Sequence, residues 1–177
     1  VKATAAKFAG RGVHFDDALA RVPPRPWLVD HVTAMHQLAA GSRDRLTKAV
    51  VFADNAGADI VLGVLPLVRS LLHGGCEVVL AANERPSLND VTHRELQELV
   101  EQVAALDPIV QSPRLRLISS GNAAPLIDLT RVSPSLATAS SGADLVVLVG
   151  MGRGIESNWT ARFTCRCWRI AMIKDPQ

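Results

Sequence analysis

The chain has 177 residues, 48% apolar and 20% charged, with three cysteines and a net charge of +2. That is enough to bury one substantial core and excludes a disordered chain, while the small net charge argues against a nucleic-acid or membrane partner. The odd, scattered cysteines form no disulfide framework, and no basic start precedes a continuous apolar stretch, so the setting reads as reducing and cytoplasmic.

The first 40 or so residues are helical in character but poorly periodic, and they break at Val22-Pro23-Pro24-Arg25-Pro26. Proline restricts its own backbone and that of its predecessor, so this is a bend. Residues 27–39 predict an amphipathic helix with Trp27, Val32, Met35 and Leu38 on one side, closed by Gly41-Ser42-Arg43-Asp44. Residues 1–47 thus read as a helical N-terminal segment and residues 48–177 as an α/β domain.

The region 49–72 is apolar enough to suggest a membrane span, but Asp54, Asn55 and Asp59 would be costly in hydrocarbon. It reads instead as a buried strand, a polar loop and a helix. Ala49-Val50-Val51-Phe52-Ala53 is the first strand, a continuous apolar run of the kind covered on both faces. A helix over residues 57–72 stops at His73-Gly74-Gly75, and residues 77–82 form a second strand. Thr92 and Glu95 have capping-box spacing and open a helix running to about Leu106. Strands follow at 115–119 and 144–149, with a small-residue loop or loose helix over 133–141 between them, and a fifth strand at 169–173. Alternating strands and helices predict a mostly parallel, Rossmann-like sheet flanked by helices. The lack of an initiator methionine, and an apolar run close to the last residue, read as part of a longer protein.

Polar residues gather after each strand: Asp54-Asn55, then Asn83 and Asn89-Asp90, then Ser119-Ser120-Gly121-Asn122, then Gly150-Met151-Gly152-Arg153-Gly154, and finally Lys174. In an open parallel sheet the carboxyl ends of the strands form the ligand crevice. Asp54, Asn55 and Asp90 offer hard oxygen donors suited to magnesium or manganese. Arg153 and Lys174 supply cations for phosphate oxygens, and the glycine-rich turn lets backbone N–H groups approach an anion. Taken singly, Asp54-Asn55 also reads as a turn or helix cap, and Asn89-Asp90 as capping before Thr92. Gly150 to Gly154 misses the dinucleotide spacing, Cys165-Arg166-Cys167 has no second pair to complete a zinc site, and His93 reads as solvated. Asn158-Trp159-Thr160 fits a glycosylation sequon.

Phe52-Ala53-Asp54-Asn55-Ala56-Gly57-Ala58-Asp59-Ile60, then Gly63-Val64, Pro66 and Arg69, resemble the damage-control phosphatases. Asn83, Pro86, Leu88-Asn89-Asp90-Val91-Thr92, Leu106-Asp107-Pro108, Asp128-Leu129 and Gly150-Met151-Gly152-Arg153 continue the similarity. The pattern is most similar to the subfamily found as the C-terminal domain of pantothenate-kinase-like proteins. The resemblance implies a metal-dependent phosphatase (manganese, cobalt, nickel or magnesium) acting on a small phosphomonoester, 4′-phosphopantetheine or its oxidised or damaged forms. It also implies Asp54, Asn55 and Asp90 as metal ligands, with Asn83, Asn89, Gly152, Arg153 and Lys174 around the phosphate. Asp54, Asp90 and Arg153 are the expected catalytic groups. One departure stands out: Val149 occupies the place of the glutamate in the subfamily's Glu-Gly-Met-Gly-Arg. A catalytically impaired binding or regulatory domain and a sugar-phosphate phosphatase are the alternative readings.

Overall fold

Five parallel strands form one sheet in the order β3-β2-β1-β4-β5, in a computed structural model that describes residues 19–20, 22–39 and 45–173. They are β1 (Lys48–Phe52), β2 (Glu77–Ala82), β3 (Leu115–Ser119), β4 (Leu145–Val149) and β5 (Arg166–Ile170). The helices are α1 (Val32–Ala39), α2 (Leu65–His73), α3 (His93–Ala104) and α4 (Pro134–Ser140). The expected parallel α/β architecture is therefore present. The readings placed on residues 1–18, on Gly41-Ser42-Arg43-Asp44 and on Lys174 lie outside the described residues.

Strand alternation sorts the apolar side chains onto two faces. Val51, Val78, Leu80 and Val147 meet Val68, Leu71, Leu72, Leu96 and Val100 of α2 and α3 on the larger face. Val50, Phe52, Val79, Ala81 and Leu148 meet Leu136 and Ala139 of α4 on the other. Because both faces are covered, the central strands read as unbroken apolar runs.

Helix ends follow from named residues. Thr92 accepts from Glu95 N at 3.2 Å while Glu95 Oε2 accepts from Thr92 N at 3.0 Å, so the expected capping box is formed. Gly75 takes φ +81°, and Gly75 N and Cys76 N donate to Leu72 O and Leu71 O at 2.9 and 3.0 Å. That paired closure satisfies the last carbonyls of α2 and needs a residue comfortable in the left-handed region. A wider π-helical turn, Asp59–Val64, leads into α2. Pro66, without an N–H, cannot continue the i→i−4 ladder at that point, and a wider turn accommodates its ring. Ser133 caps α4 by accepting from Leu136 N at 3.1 Å, resolving the 133–141 stretch as a short helix.

Two elements differ from expectation. The helix expected over residues 27–39 begins at Val32; Trp27 instead donates from Nε1 to Pro23 O at 2.7 Å, beside an Arg25–Asp30 ion pair of 2.6 Å. Met35, Leu38 and Ala39 still pack on the main core. β5 starts three residues before the expected 169, at Arg166, in register with Leu145. The ladder is set where Arg166 N donates to Asp144 O, at 3.2 Å. Trp168 then faces the main core, while Ile170, Met172 and Ile173 run out into solvent.

At the opposite end of the sheet from the crevice, Asp144 accepts from Thr47 N (2.7 Å), Thr47 Oγ1 (2.8 Å) and Lys48 N (3.2 Å). This one carboxylate fixes β4 against β1. Cys76 lies in the main core at 1% exposure, and burial pushes its thiol up to about 11. Cys165 and Cys167 are half-buried. A water-soluble disulfide reagent at neutral pH should therefore titrate two of the three thiols in the native protein, the third reacting only in denaturant. Fast reaction of all three in the native state would contradict this packing.

Candidate active site at the switch point

In the order β3-β2-β1-β4-β5 the chain winds outward in one direction from β1, then crosses to begin again at β4. The carboxyl ends of β1 and β4 thus flank the topological switch point, where open α/β sheets leave a crevice for ligand. Asp54-Asn55 follows β1 there, and Gly150-Met151-Gly152-Arg153 follows β4.

The long loop after β2 is drawn back across this crevice by backbone pairing. Ala56 N donates to Asn89 O at 2.8 Å and Val91 N to Asp54 O at 2.9 Å, making an antiparallel bridge between Asn55 and Asp90. His93 N donates to Asn83 O at 2.7 Å and closes the other side of the loop. Asp54 and Asp90, 36 positions apart in the chain, are placed together by this pairing.

Arg153 sits between them at 1% exposure, the largest fully buried side chain of the described residues. Its Nη2 donates to Asp90 Oδ2 at 2.8 Å and to Asn83 Oδ1 at 3.3 Å, Nη1 donates to Ala53 O, and Nε lies 3.1 Å from Asp54 Oδ1. The Nε–H is not aligned with that oxygen and has no hydrogen-bond partner, so the Asp54 contact is one of charge. Asn83, itself 1% exposed, donates from Nδ2 to Asp90 Oδ2 at 3.0 Å and to Ala124 O at 3.2 Å. One guanidinium and one amide thereby hold the two acids and tie the ends of β1, β2 and β4 to the loop after β3.

Gly150 explains how β4 comes so close. It takes φ +92°, and a methyl group on its Cα would overlap the Asp54 carboxylate. Asn89 is exposed and joins the site through its carbonyl, while Gly152 lies under Leu126. His93, expected to be solvated, is half-buried with Nε2 3.2 Å from Leu117 O, a packing role. Asn158, the sequon residue, is 6% exposed and donates to Ile127 O and Arg153 O, both at 3.0 Å, so the folded chain does not present it for modification. That Asn158 would hold the turn carrying Arg153 was not visible in its sequon spacing.

The donor set suits a hard divalent cation. Asn55 donates from Nδ2 to Asp59 Oδ2 at 2.7 Å, which leaves its amide oxygen as the ligating atom. The polar contacts of Asp90 among the described residues fall on Oδ2, leaving Oδ1 for a metal. Among the described residues no three His, Cys, Asp or Glu side chains gather, so a cation here would have only two carboxylates and amide oxygen to hold it. That is the pattern of magnesium or manganese, which retain several waters and share phosphate oxygens. Two carboxylates and one guanidinium leave one net negative charge, which also favours a cation.

The chain is similar to several known proteins. The family described as the damage-control phosphatase ARMT1-like domain matches residues 14–177. Damage-control phosphatase At2g17340 of Arabidopsis thaliana is 45% identical over 170 residues, covering 94% of this chain and 46% of that protein. A 4′-phosphopantetheine phosphatase of Mus musculus is 35% identical over 214 residues, covering 91% of this chain and 26% of that protein. A DUF89 family protein of Pyrococcus horikoshii shares the fold with a TM-score of 0.62 at 19% identity, over 91% of this chain and 50% of the other. The chain spans half or less of the length of each. No helix among the described residues is long and apolar enough to cross a membrane. On the match over residues 14–177, the chain belongs to the ARMT1-like damage-control phosphatase domain family.

Proposed function

We propose that this domain hydrolyses a small phosphomonoester, 4′-phosphopantetheine or an oxidised derivative of it, with a divalent cation held by Asp54, Asn55 and Asp90. The observation that carries the reading is the convergence of Asp54 and Asp90 on Arg153 at the switch point of a phosphatase-family fold. The substrate rests on the mouse relative, which is named for that activity.

A magnesium, manganese, cobalt or nickel ion at these oxygens would supply charge to the phosphoryl group as a Lewis acid. The protein's part is placement. Arg153 and Asn83 fix Asp90, and Arg153 balances the charge of Asp54. The Asp54 side chain is 14% exposed against 5% for Asp90, so Asp54 is the acid that meets the attacking water or the phosphorus. Gly150 leaves room for the Asp54 carboxylate, and Asn89, exposed in the loop after β2, is the outer contact for the phosphate.

The test is phosphate release from 4′-phosphopantetheine and p-nitrophenyl phosphate, with and without manganese, cobalt or nickel. Asp54→Ala should lower metal-dependent release by at least about 100-fold, the scale of losing one group that acts in the transition state. Unchanged release in that variant would move the site elsewhere.

A second reading, an impaired catalyst serving as a binding domain, rests on Val149. It is half-buried, pairs with Ile170 and packs on the main core, so no carboxylate stands at the end of β4. Val149→Glu distinguishes the two: a rise in metal-dependent release above about tenfold, or 1.4 kcal/mol in the barrier, would mark the present chain as impaired. Unchanged or lower release would favour the working enzyme.

A further inference from the structure

Cys165-Arg166-Cys167 lies where β5 begins, at the opposite end of the sheet from the acids. The chain bends at Thr164-Cys165 and enters this edge strand at Arg166, whose N donates to Asp144 O at 3.2 Å. Alternate residues of a strand share a face. Cys165 and Cys167 accordingly pack, with Phe163, against the second core, that of Val50, Phe52 and Leu136. Both are half-buried free thiols, whereas Cys76 is sealed inside the main core.

The two thiols are not equivalent. Cys165 lines an open cavity of about 600 Å³ together with Ala143, Asp144, Thr164 and Arg166. That volume is within the range that holds small molecules. Two residues further on, burial pushes the Cys167 thiol up against a smaller pull from Arg169, and a charge on Cys165 adds to the rise. The thiolate is the nucleophile in exchange chemistry, so Cys165 is placed to react first and Cys167 to follow.

Spacing decides how durable a bond between them would be. Two residues of extended chain span about 6.4–6.8 Å, the upper edge of what a disulfide bridges between Cα atoms. Closing it would draw Arg166 out of the extended geometry at the start of β5. Strained and accessible disulfides are the readily reduced, exchangeable ones, and in a reducing setting such bonds are transient.

We propose that Cys165 and Cys167 form a dithiol exchange site, oxidised reversibly by small-molecule disulfides that enter the cavity beside Arg166. The Cys165 thiolate attacks one sulfur of the incoming disulfide, breaking its S–S bond, forming a mixed disulfide and releasing one thiolate. Cys167, giving up its proton, then attacks the Cys165 sulfur, closes the Cys165–Cys167 bond and expels the second thiolate. The protein loses two electrons and two protons, and the small disulfide gains both as two thiols. No atom of the acidic crevice takes part.

The test is to incubate the native protein with glutathione disulfide and weigh the intact chain and its peptic peptides, made in acid where exchange stops. The peptide carrying both cysteines should lose two hydrogens and hold no glutathione, with the chain still monomeric and Cys76 unreacted. Excess reduced glutathione should restore both thiols. Cys167→Ser should instead accumulate one glutathione, on Cys165. Cys165→Ser should react at least about tenfold more slowly, because the rate follows the thiolate fraction of the attacking group. Glutathione retained on either cysteine of the wild type, or disulfides between chains, would show that the two sulfurs do not meet and would overturn the proposal. So would no reaction in the native state, or a closed bond that survives excess reduced glutathione. Equal rates in the two serine variants would overturn the assignment of Cys165 as the attacking thiol.

Discussion

Replacing Arg153 by methionine should destabilise the domain by about 3–5 kcal/mol, the usual cost of removing one partner from a buried ion pair. Methionine fills similar volume, so the loss is mainly electrostatic. Asp54 and Asp90 would face each other at 14% and 5% side-chain exposure with no cation between them, and Ala53 O and Asn83 Oδ1 would each lose a donor. Against a total stability on the order of 5–15 kcal/mol, the variant sits near the edge of folding. Urea unfolding of both proteins measures the difference. Magnesium should stabilise the variant more than the wild type, because a bound cation restores the missing charge. A variant as stable as wild type in the absence of metal would show that the guanidinium does not hold the acids.

Gly150→Ala should weaken metal binding by more than about tenfold, with a smaller loss of stability. A φ of +92° costs an alanine about 1–2 kcal/mol, and the added methyl must displace the Asp54 carboxylate. The methyl meets the reactive end of Asp54 and the carboxylate must swing aside, so the damage falls on the ligand set. Manganese titration followed by electron paramagnetic resonance should show affinity lowered by more than about tenfold, with phosphate release lost in step. Normal manganese affinity in a folded Gly150→Ala protein would remove Asp54 from the ligand set.

The sequence revealed most where burial leaves a continuous signature. Ala49 to Phe52, Val78 to Ala82 and Leu145 to Leu148 are apolar on both faces of a covered sheet, so their runs are unbroken and easily read. β5 is an edge strand where Arg166 and Arg169 flank Cys167 and Trp168; its hydrogen bonds to β4, not its hydrophobicity, decide its limits. The apolar residues that drew the expected strand toward 169–173 lie largely outside the sheet. In the site, Asp54, Asn55 and Asp90 stood out because each follows a strand. The inward turn of Arg153 did not, because its partners Asp90, Asn83 and Ala53 lie 63, 70 and 100 positions away. The overhang of Leu126 on Gly152 was likewise hidden, being a contact between two loops of the folded sheet.

The strand order has a kinetic side. β1, β2 and β3 follow one another in the chain and pair as neighbours, so the segment bearing Asp54 and Asp90 can assemble from successive βαβ units. Arg153 enters only when β4 has crossed back to the far side of β1, the most distant pairing in the sheet. Contacts of long sequence separation form late, because the closure entropy of the intervening chain must first be overcome. The two acids are thus joined by pairings of short sequence separation, while their counter-ion depends on the longest-range pairing of the sheet. That one long-range pairing brings a single positive charge to two negative ones and leaves the finished site with one negative charge.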